Sequence, residues 1–334
     1  MLEVVTYGLG PIGCRIAARL LGRPDLKVVA AIDIDPGKVG RDLGEVLGMS
    51  DRVGVRIQGS VGRLRPSNGN GVVVQATSSR LAEAARQIEP LVAAGWNVLS
   101  TCEELVNPRS VDEALAATLD AATRAAGVTV LGSGINPGFL LDSLVLVLSG
   151  VCARVDGVTV RRVVDTNQRR LPLQKKAGVG MGPEEFRRLA ADRTVGHVGL
   201  AQSAYLLAER FNWPLADYQE DLEPVIAESD TVTGLGLVKA GMVIGQHQVA
   251  RGRCGEREVI RYELDMFAGA DPIDAITIAG MPTITQVLTG GVNGDIGTEA
   301  IIANLVVPVS AAPAGLLTMA DLLPLRCTPG VASD

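Results

Sequence analysis

A glycine-rich turn near residue 8 constrains the fold more than any other feature of the chain. The apolar run Val4-Val5-Thr6-Tyr7 leads into Gly8-Leu9-Gly10-Pro11-Ile12-Gly13, and a helical pattern follows to residue 21. A strand, a G-x-G-x-x-G turn and a helix in this order are typical of the first unit of a dinucleotide-binding domain. Gly8 permits the tight turn, Gly10 lets a pyrophosphate approach the backbone, and Gly13 lets the helix pack on the strand.

The helix that begins at Pro11 and Ile12 directs its N-terminus at the same place, where backbone N–H groups favour an anion. Asp33 ends the next apolar run, about 20 residues beyond the turn, where a carboxylate accepts hydrogen bonds from the adenosine ribose. This acid favours NAD over NADP, because it repels a 2′-phosphate. Lys38 and Arg41 lie just beyond it and keep NADP open, since either can pair with a phosphate.

The first part of the chain alternates short apolar runs with helical patterns. Continuous runs of Val, Leu and Ala between helices are typical of strands buried on both faces, and therefore of a parallel, doubly wound sheet. We predict an N-terminal α/β Rossmann domain over residues 1–138. Its predicted strands are residues 2–7, 27–33, 72–76, 96–99 and 128–131, and its predicted helices are residues 10–21, 81–94 and 111–126.

Beyond residue 140 the segments become longer and richer in Val and Thr, and with 334 residues the chain has room for about two domains. We predict a second, α+β domain over residues 139–310, built on a mixed or antiparallel sheet. The apolar helix 297–307 and the segment 311–334 are candidates to return to the first domain, and residues 329–334 are predicted to be disordered. The predicted strands are residues 155–164, 223–228, 237–249, 258–267 and 274–284, and the predicted helices are residues 183–192 and 199–210.

Charge and cysteine content argue against several classes of protein. The net charge is -6 and the basic residues form pairs rather than runs, so we expect no nucleic-acid partner. The five cysteines are never spaced as CxxC, which argues against a zinc site or a disulfide framework and favours a protein of the reducing cytoplasm. We expect neither a signal peptide nor a membrane span, because glycines interrupt the first apolar stretch.

Three predicted strands of the first domain end in polar residues. In a parallel sheet, ligands bind beyond the carboxyl ends of the strands, near the point where strand order reverses. We therefore expect Thr77, Ser78 and Asn136 to line the cofactor site, together with the acidic pair Glu103-Glu104. Asn136-Pro137-Gly138 is equally compatible with an ordinary turn, since these residues are common turn formers.

Motifs spread over nearly the whole chain carry a specific resemblance. They are C-E-E-L at 102–105, G-S-G-I-N-P-G-F-L-L-D-S-L at 132–144, R-R-V at 161–163, K-K-A-G-V-G at 175–180, G-H-V-G at 196–199, V-K-A-G-M-V at 238–243 and P-A-G-L-L-T-M-A-D-L at 313–322. Together they resemble the family of 2,4-diaminopentanoate dehydrogenases and native amine dehydrogenases, which are distant relatives of dihydrodipicolinate reductase.

The resemblance implies an NAD(P)-dependent, reversible oxidative deamination, in which an amine and water give a ketone or aldehyde and ammonia without a metal. It also implies that the catalytic glutamate belongs to the pair Glu103-Glu104. In the wider superfamily a strand-end E-K-P places the catalytic lysine second, so the alignment favours Glu104 as the acid/base and Glu103 as a supporting carboxylate. The resemblance leaves open whether Glu103 or Glu104 is the acid/base.

Amine oxidation explains why a carboxylate is needed. Removing hydride from a carbon that bears nitrogen requires a free lone pair, so an ammonium substrate must first lose a proton. A carboxylate in an apolar pocket, or beside another carboxylate, is suited to accept it. A purely structural role fits the same residues. Acidic side chains in the first turn of a helix interact favourably with the helix dipole, and Ser100 or Thr101 would then be the N-cap. We interpret Cys102 as a small packed side chain rather than a nucleophile.

The chain has two histidines. His197 lies between glycines at the predicted start of a helix, where it is a candidate to contact the substrate or Glu104, although a lone histidine is more often structural. His247 lies in a predicted strand and is expected in the core or at an edge.

Four basic residues, Arg161, Arg162, Lys175 and Lys176, are candidates to hold a substrate carboxylate. A solvated surface explains them more simply, with Lys176 as the best exception.

Two other enzymes and one non-enzyme remain as alternatives to a general amine dehydrogenase. The first is a 2,4-diaminopentanoate dehydrogenase proper. The second is a ring reductase similar to dihydrodipicolinate reductase, although its His-His motif with a lysine is not found. The third is a protein that senses NAD(P) without catalysis, which needs no strand-end carboxylate. The resemblance also implies a homodimer, since the second-domain sheets of relatives usually pair.

Overall fold

The computed structural model describes residues 1–67 and 69–322, which form two units, Met1–Phe139 with Asp295–Leu322, and Leu140–Gly294. The first stretch contains β1 (Leu2–Tyr7), α1 (Pro11–Leu21), β2 (Leu26–Ile32), α2 (Leu43–Val46), β3 (Ile57–Gln58), β4 (Val72–Gln75), α3 (Leu81–Ala93), β5 (Asn97–Ser100), α4 (Glu113–Ala126) and β6 (Thr129–Gly132). The second unit contains α5 (Ser143–Ser149), β7 (Arg154–Asp165), α6 (Leu171–Lys176), α7 (Pro183–Ala191), α8 (Leu200–Arg210), β8 (Asp217–Ile226), β9 (Thr231–Thr233), β10 (Gly236–Val238), β11 (Val243–Cys254), β12 (Arg257–Phe267), β13 (Ile273–Met281) and β14 (Ile284–Thr289). The last stretch contains α9 (Gly294–Ser310), β15 (Gly315–Leu317) and α10 (Met319–Leu322), and single 3₁₀ turns span Val61–Arg63, Glu103–Val106, Pro108–Ser110 and Thr166–Gln168.

The first unit is built on a seven-stranded sheet in the order β15-β6-β5-β4-β1-β2-β3, and every neighbouring pair is parallel. Strand order reverses between β1 and β4, so the carboxyl ends of these strands lie side by side where such sheets bind ligands. The predicted doubly wound parallel sheet is confirmed.

Burial on both faces explains why β1 reads as a continuous apolar run. Val4 and Val5 are both fully buried, but they point into different cores. Val4 packs with residues of α1 and α9, whereas Val5 packs with residues of α3 and α4. Alternate residues of a strand face opposite sides of the sheet, so a sheet covered on both sides needs apolar residues at every position.

The chain returns to the first unit after residue 294. Ile302, Val306 and Val309 of α9 are buried in the same core as Val4, and β15 pairs with β6. Residues 295–310, expected in the second domain, therefore belong to the first unit. Residues 323–334, which include the predicted disordered tail, lie outside the described residues.

The second unit is built on a six-stranded mixed sheet in the order β14-β13-β7-β12-β11-β8. The pair β7–β12 is parallel and the other neighbours are antiparallel. Along β12 the buried Tyr262 and Leu264 alternate with the half-exposed Arg261 and Glu263. One face of this sheet is therefore packed and the other is polar, and the predicted mixed or antiparallel sheet is confirmed.

Two segments predicted as single strands are each divided by a turn. The segment 237–249 breaks where Gly241 adopts a φ of +85°, so β10 ends before it and β11 begins after it. The segment 274–284 breaks at Pro282, which has no backbone N–H to continue the ladder. In addition, β8 begins at Asp217, earlier than expected.

Within residues 1–67 and 69–322, no helix combines the length and the apolar character needed to cross a membrane. The same residues contain no cluster of three or more His, Cys, Asp or Glu side chains arranged to hold a metal ion.

Candidate active site

The glycine turn lies at the reversal point of the first sheet. Gly8 has a φ of +90°, and a Cβ on it would lie 2.5 Å from the carbonyl oxygen of Ala76 at the end of β4. A Cβ on Gly13 would lie 1.9 Å from the carbonyl oxygen of Gly8, so α1 packs directly on the turn. A Cβ on Gly10 would meet no atom within 4 Å, so the open side of the turn is at Gly10.

The first turn of α1 faces this open side with backbone donors. Gly10 is the N-cap and Pro11 follows it, so the first N–H groups of the helix belong to Ile12 and Gly13. These N–H groups have no acceptor inside the helix. A dinucleotide pyrophosphate fits this arrangement, because its charge is favoured at a helix N-terminus and a side chain at Gly10 would occupy its space.

Asp33 fixes the turn from the end of β2. The side chain is buried, and its Oδ2 atom accepts a hydrogen bond from the Leu9 N–H at 2.6 Å. Its Oδ1 atom accepts one from the Asp35 N–H at 2.8 Å, and Lys38 Nζ lies 3.4 Å from both Asp33 Oδ2 and Asp35 Oδ2. The predicted ribose acceptor thus also holds the glycine turn, and Lys38 brings a cation to it.

Thr77 and Ser78 follow β4 and are tied to α3. Thr77 Oγ1 donates to Gln87 Oε1 at 2.5 Å, and Ser78 Oγ donates to Glu83 Oε2 at 2.5 Å. The side chain of Gln75, fully buried, joins the same network: Nε2 donates to Gln87 Oε1 at 2.7 Å. These bonds fix the loop after β4 beside the glycine turn.

The same buried network continues to β5. Ser100 Oγ donates to Gln75 Oε1 at 2.8 Å and accepts the Cys102 N–H at 3.1 Å. The turn that follows, Glu103–Val106, is a 3₁₀ helix. Both glutamates lie in its first turn, as the alternative that places them at a helix start describes. Ser100 Oγ provides the acceptor for the backbone N–H of Cys102, just before this turn. Burial raises the pKa of Cys102 to about 12, so its side chain stays a thiol.

Glu104 reaches back to α3. Its Oε1 atom accepts from Arg80 Nη1 at 2.7 Å, and its Oε2 atom accepts from the Leu81 N–H at 2.7 Å. Its side chain is 12% exposed, compared with 57% for Arg80. The surroundings of Glu104 are therefore more polar than an apolar pocket: the carboxylate pairs with a cation and caps the first turn of α3.

The loop after β6 completes this edge of the sheet. A Cβ on Gly132 would lie 2.5 Å from the carbonyl carbon of Leu105, so the end of β6 packs against the glutamate turn. Gly138 has a φ of +115° and approaches the backbone of Gly134 closely, which folds the loop around Asn136. Asn136 is half-buried in this loop.

His197 lies in the second unit, whereas Glu104 and the nine predicted cofactor-binding residues all lie in the first. Its backbone is held by one side chain: the His197 N–H donates to Gln248 Oε1 at 2.9 Å, and Gln248 Nε2 donates to the His197 carbonyl at 3.2 Å. Gly196 and Gly199 flank it with φ of +104° and +108°. Gln248 Nε2 also donates to Glu220 Oε2 at 2.8 Å, so the turn is attached to the sheet.

His247 is neither in the core nor at an edge. It lies on β11, between β8 and β12, with a side chain 44% exposed and Nδ1 2.6 Å from Asp265 Oδ1.

The basic candidates are mostly engaged elsewhere. Arg162 is buried beside Asp274 at 3.2 Å, and burial lowers its pKa to about 10. Arg161 lies 3.6 Å from Asp265 on the polar face. Lys175 is exposed and Lys176 is half-buried at the end of α6.

Comparison with known proteins identifies the family. The model of the 2,4-diaminopentanoate dehydrogenase C-terminal domain matches residues 139–332. A 2,4-diaminopentanoate dehydrogenase from Acetoanaerobium sticklandii is 31% identical over 341 aligned residues, which cover 96% of this chain and 93% of that protein. The chain belongs to the 2,4-diaminopentanoate dehydrogenase family. The family predicted from the motifs is thereby confirmed.

This member of the 2,4-diaminopentanoate dehydrogenase family is also similar to two amine dehydrogenases. An amine dehydrogenase from Streptomyces virginiae is 32% identical over 186 residues, or 54% of this chain and 51% of that protein. The solved structure of an amine dehydrogenase from Mycobacterium smegmatis is 25% identical, with a TM-score of 0.84 over 99% of this chain and 98% of that one. The likeness extends through both units.

Three polar residues of this family member were missed by the sequence analysis: Gln75, Arg80 and Gln248. Gln75 sits at the end of a predicted strand, and a buried polar residue there was a usable signal. Arg80 and Gln248 carry no such signal, because their partners are distant in the sequence.

Proposed function

We propose that the chain is an NAD(P)-dependent amine dehydrogenase. An ammonium substrate, NAD(P)⁺ and water give a ketone or aldehyde, ammonium, NAD(P)H and a proton, and the reaction is reversible. The observation that carries the proposal is the position of the Glu103-Glu104 turn, which follows β5 at the same sheet edge as the glycine turn. The likeness to 2,4-diaminopentanoate dehydrogenase over 96% of the chain supports it.

The cofactor would be held by residues of the first unit. Gly8, Gly10 and Gly13 leave room for a pyrophosphate, and the N–H groups of Ile12 and Gly13 would bind it. Asp33 would accept from the ribose, and Thr77, Ser78 and Asn136 would line the nicotinamide end. When bound, the nicotinamide ring supplies the acceptor or donor of a hydride.

Glu104 would manage the protons of the substrate. In deamination its carboxylate takes a proton from the ammonium, which frees the nitrogen lone pair. Once this proton has passed to solvent, the carboxylate takes a proton from the water that attacks the iminium. In amination the same group protonates the departing hydroxyl of the carbinolamine. Glu104 Oε1 suits this role, because its partner Arg80 is largely exposed whereas Oε2 is tied to the backbone.

His197 is proposed as a second contact to the substrate. Gln248 fixes both backbone polar groups of His197, so the backbone from which the imidazole extends is held to the sheet of the second unit. A backbone held in this way limits the positions that the imidazole can reach, which reduces the ordering needed before it contacts a substrate.

We propose a preference for NAD. A carboxylate at the end of β2 repels a 2′-phosphate, and Asp33 is buried there with one backbone N–H donating to each of its oxygens, which leaves each oxygen a second lone pair for the ribose. Lys38, within 3.4 Å of Asp33, is the group through which NADP would bind instead.

Two further properties are proposals as well. The polar face of the second-unit sheet, which carries Thr159, Arg261 and Glu263, is proposed to pair with that of a second chain in a homodimer. The described cysteines are free thiols, which fits a cytoplasmic enzyme; cell fractionation tests the location.

The deciding experiment is the oxidation of NADH and NADPH in the presence of ammonia and a panel of ketones and aldehydes. The panel includes 2-amino-4-oxopentanoate, the product expected for a 2,4-diaminopentanoate dehydrogenase proper, and related ketones without a carboxylate. Each is measured with the wild type and with Glu104→Gln.

Turnover that requires ammonia and is lost in Glu104→Gln establishes the proposal. Turnover of the carboxylated ketone alone narrows the function to 2,4-diaminopentanoate. If the cofactor binds but no compound of the panel reacts with ammonia, the proposal of an amine dehydrogenase is wrong. A ring reductase or a cofactor-sensing protein then takes its place.

A further inference from the structure

Arg80 occupies a specific position between two parts of the site. It precedes α3, and its N–H donates to Ser78 Oγ at 3.1 Å, so its backbone belongs to the loop after β4. Its guanidinium extends to the glutamate turn after β5 and holds Glu104 Oε1 at 2.7 Å. The side chain is 57% exposed and can leave this position without opening a core.

The two oxygens of Glu104 are held differently. Oε2 accepts from the Leu81 N–H at 2.7 Å, and the Glu104 N–H donates to the Ser79 carbonyl at 3.3 Å. Both bonds involve the backbone at the start of α3, so they survive if Arg80 moves. Oε1 depends on Arg80, a long side chain with several rotamers.

The charges around Glu104 leave Arg80 as its counter-ion. Glu83 of α3 and Glu103 of the same turn are both acidic and both act electrostatically on Arg80, and Cys102 is a buried thiol. The end of β6, which also packs against the turn, is Thr129–Gly132 and carries no titratable group. The pKa of Arg80 is raised, first by its hydrogen bond with Glu104 and then by the charge of Glu104.

We propose that Arg80 is a removable counter-ion: it occupies the place of the substrate's ammonium at Glu104 Oε1 and moves into solvent when the amine binds. The inference rests on the proposed role of Glu104. It makes Arg80 a positioning residue, which keeps the carboxylate of Glu104 aligned while no amine is present. It also means that every amine competes with Arg80.

The competition predicts a specific division between KM and kcat. In deamination, Arg80→Gln removes the competitor before the ammonium binds, so KM for the amine falls and kcat is unchanged. In amination, the uncharged ketone carbonyl does not compete, so KM for the ketone is unchanged. There kcat rises, because the competitor is absent when the cationic iminium forms. Each change is expected to be roughly two- to fivefold, which is the range for a half-exposed ion pair.

The experiment uses 2,4-diaminopentanoate with 2-amino-4-oxopentanoate, and 2-aminopentane with pentan-2-one, in both directions. Arg80→Lys keeps a cation near Glu104 and should stay close to the wild type. Arg86→Gln removes the same charge from the exposed side of α3 and is the matched control, expected to match the wild type.

A fall of kcat in both directions for Arg80→Gln would show that the guanidinium is needed to hold Glu104 during the reaction, and would overturn the proposal. Wild-type constants for Arg80→Gln would overturn it equally. Glu104→Gln separates the two hypotheses. If that variant retains turnover, the role of Glu104 fails; if it is inactive while Arg80→Gln is unchanged, only the inference about Arg80 fails.

Discussion

Glu104 combines two roles that substitution can separate. Glu104→Gln keeps an oxygen that can accept the Leu81 N–H, so α3 retains its cap, but the side chain no longer takes up a proton. We expect kcat to fall by about 10²–10⁴ with little change in thermal stability. Glu104→Ala should lose the cap as well and lower the free energy of unfolding by about 1 kcal/mol.

Steady-state kinetics and thermal melts of both variants test this division, with Glu103→Gln as the matched control. Loss of turnover in Glu103→Gln, with Glu104→Gln active, would exchange the roles of the two glutamates.

Lys38 gives a second residue-scale prediction. Its ammonium lies 3.4 Å from Asp33, at the point where a 2′-phosphate would bind. Lys38→Ala is expected to raise KM for NADP several-fold and to leave KM for NAD nearly unchanged, which sharpens the preference for NAD. The measurement is a comparison of KM for the two cofactors, with Arg41→Ala as a control on the other candidate cation. Equal changes for both cofactors would argue against this role.

Local patterns predicted some site residues and missed the partners of others. The glycines and Asp33 follow from one strand-turn-helix pattern, since their spacing is local in the sequence. The tie between Asp33 and the Leu9 N–H, and the pairing of Glu104 with Arg80, depend on loops that only the folded sheet brings together. The sequence pattern therefore indicates Asp33 and Glu104 as candidates, but it does not indicate the groups that hydrogen-bond to them in the folded protein.

At the level of elements, one amide of β11 binds both backbone polar groups of His197 and ties its turn to the sheet. Gln248→Met has a similar shape but leaves the N–H and the carbonyl of His197 without this partner. We expect a loss of about 1–3 kcal/mol in the free energy of unfolding and, if His197 contacts the substrate, a lower kcat/KM. Gln219→Met on the exposed part of β8 is the control.

Thermal melts and kinetics of Gln248→Met and His197→Ala should be compared directly. If His197→Ala keeps full kcat/KM, the turn is structural and the proposed contact to the substrate is wrong.

Strand boundaries show where element prediction from sequence ends. The predicted strands 2–7 and 258–267 agree with β1 and β12 within one residue, because burial continues along most of β1 and largely alternates along β12. The hydropathy pattern predicts one strand over 237–249, whereas the structure has a turn at Gly241. Its apolar residues continue through the turn, and a glycine with positive φ is not visible in a hydropathy pattern.

At the scale of the whole molecule, the predicted homodimer is directly measurable. Sedimentation equilibrium should give twice the 34.8 kDa of one chain. Thr159→Arg on the polar face of the second-unit sheet places a charge beside Arg261, its partner across the register of β7 and β12, and should shift the protein toward monomer.

Thr118→Arg on the exposed side of α4, in the first unit, is the matched control. A wild type that sediments as a monomer, or a dimer that Thr159→Arg leaves intact, would exclude this interface.

The return of α9 and β15 to the first sheet determines the order in which the two units can be completed during synthesis. The ribosome finishes residues 140–294 before it makes α9, so the second unit can fold while the core around Val4 is still open on one side. The dinucleotide-binding unit, although it is begun first, is finished last. Nascent chains stalled before residue 295 should therefore leave this core sensitive to protease, and full-length chains released from the ribosome should protect it.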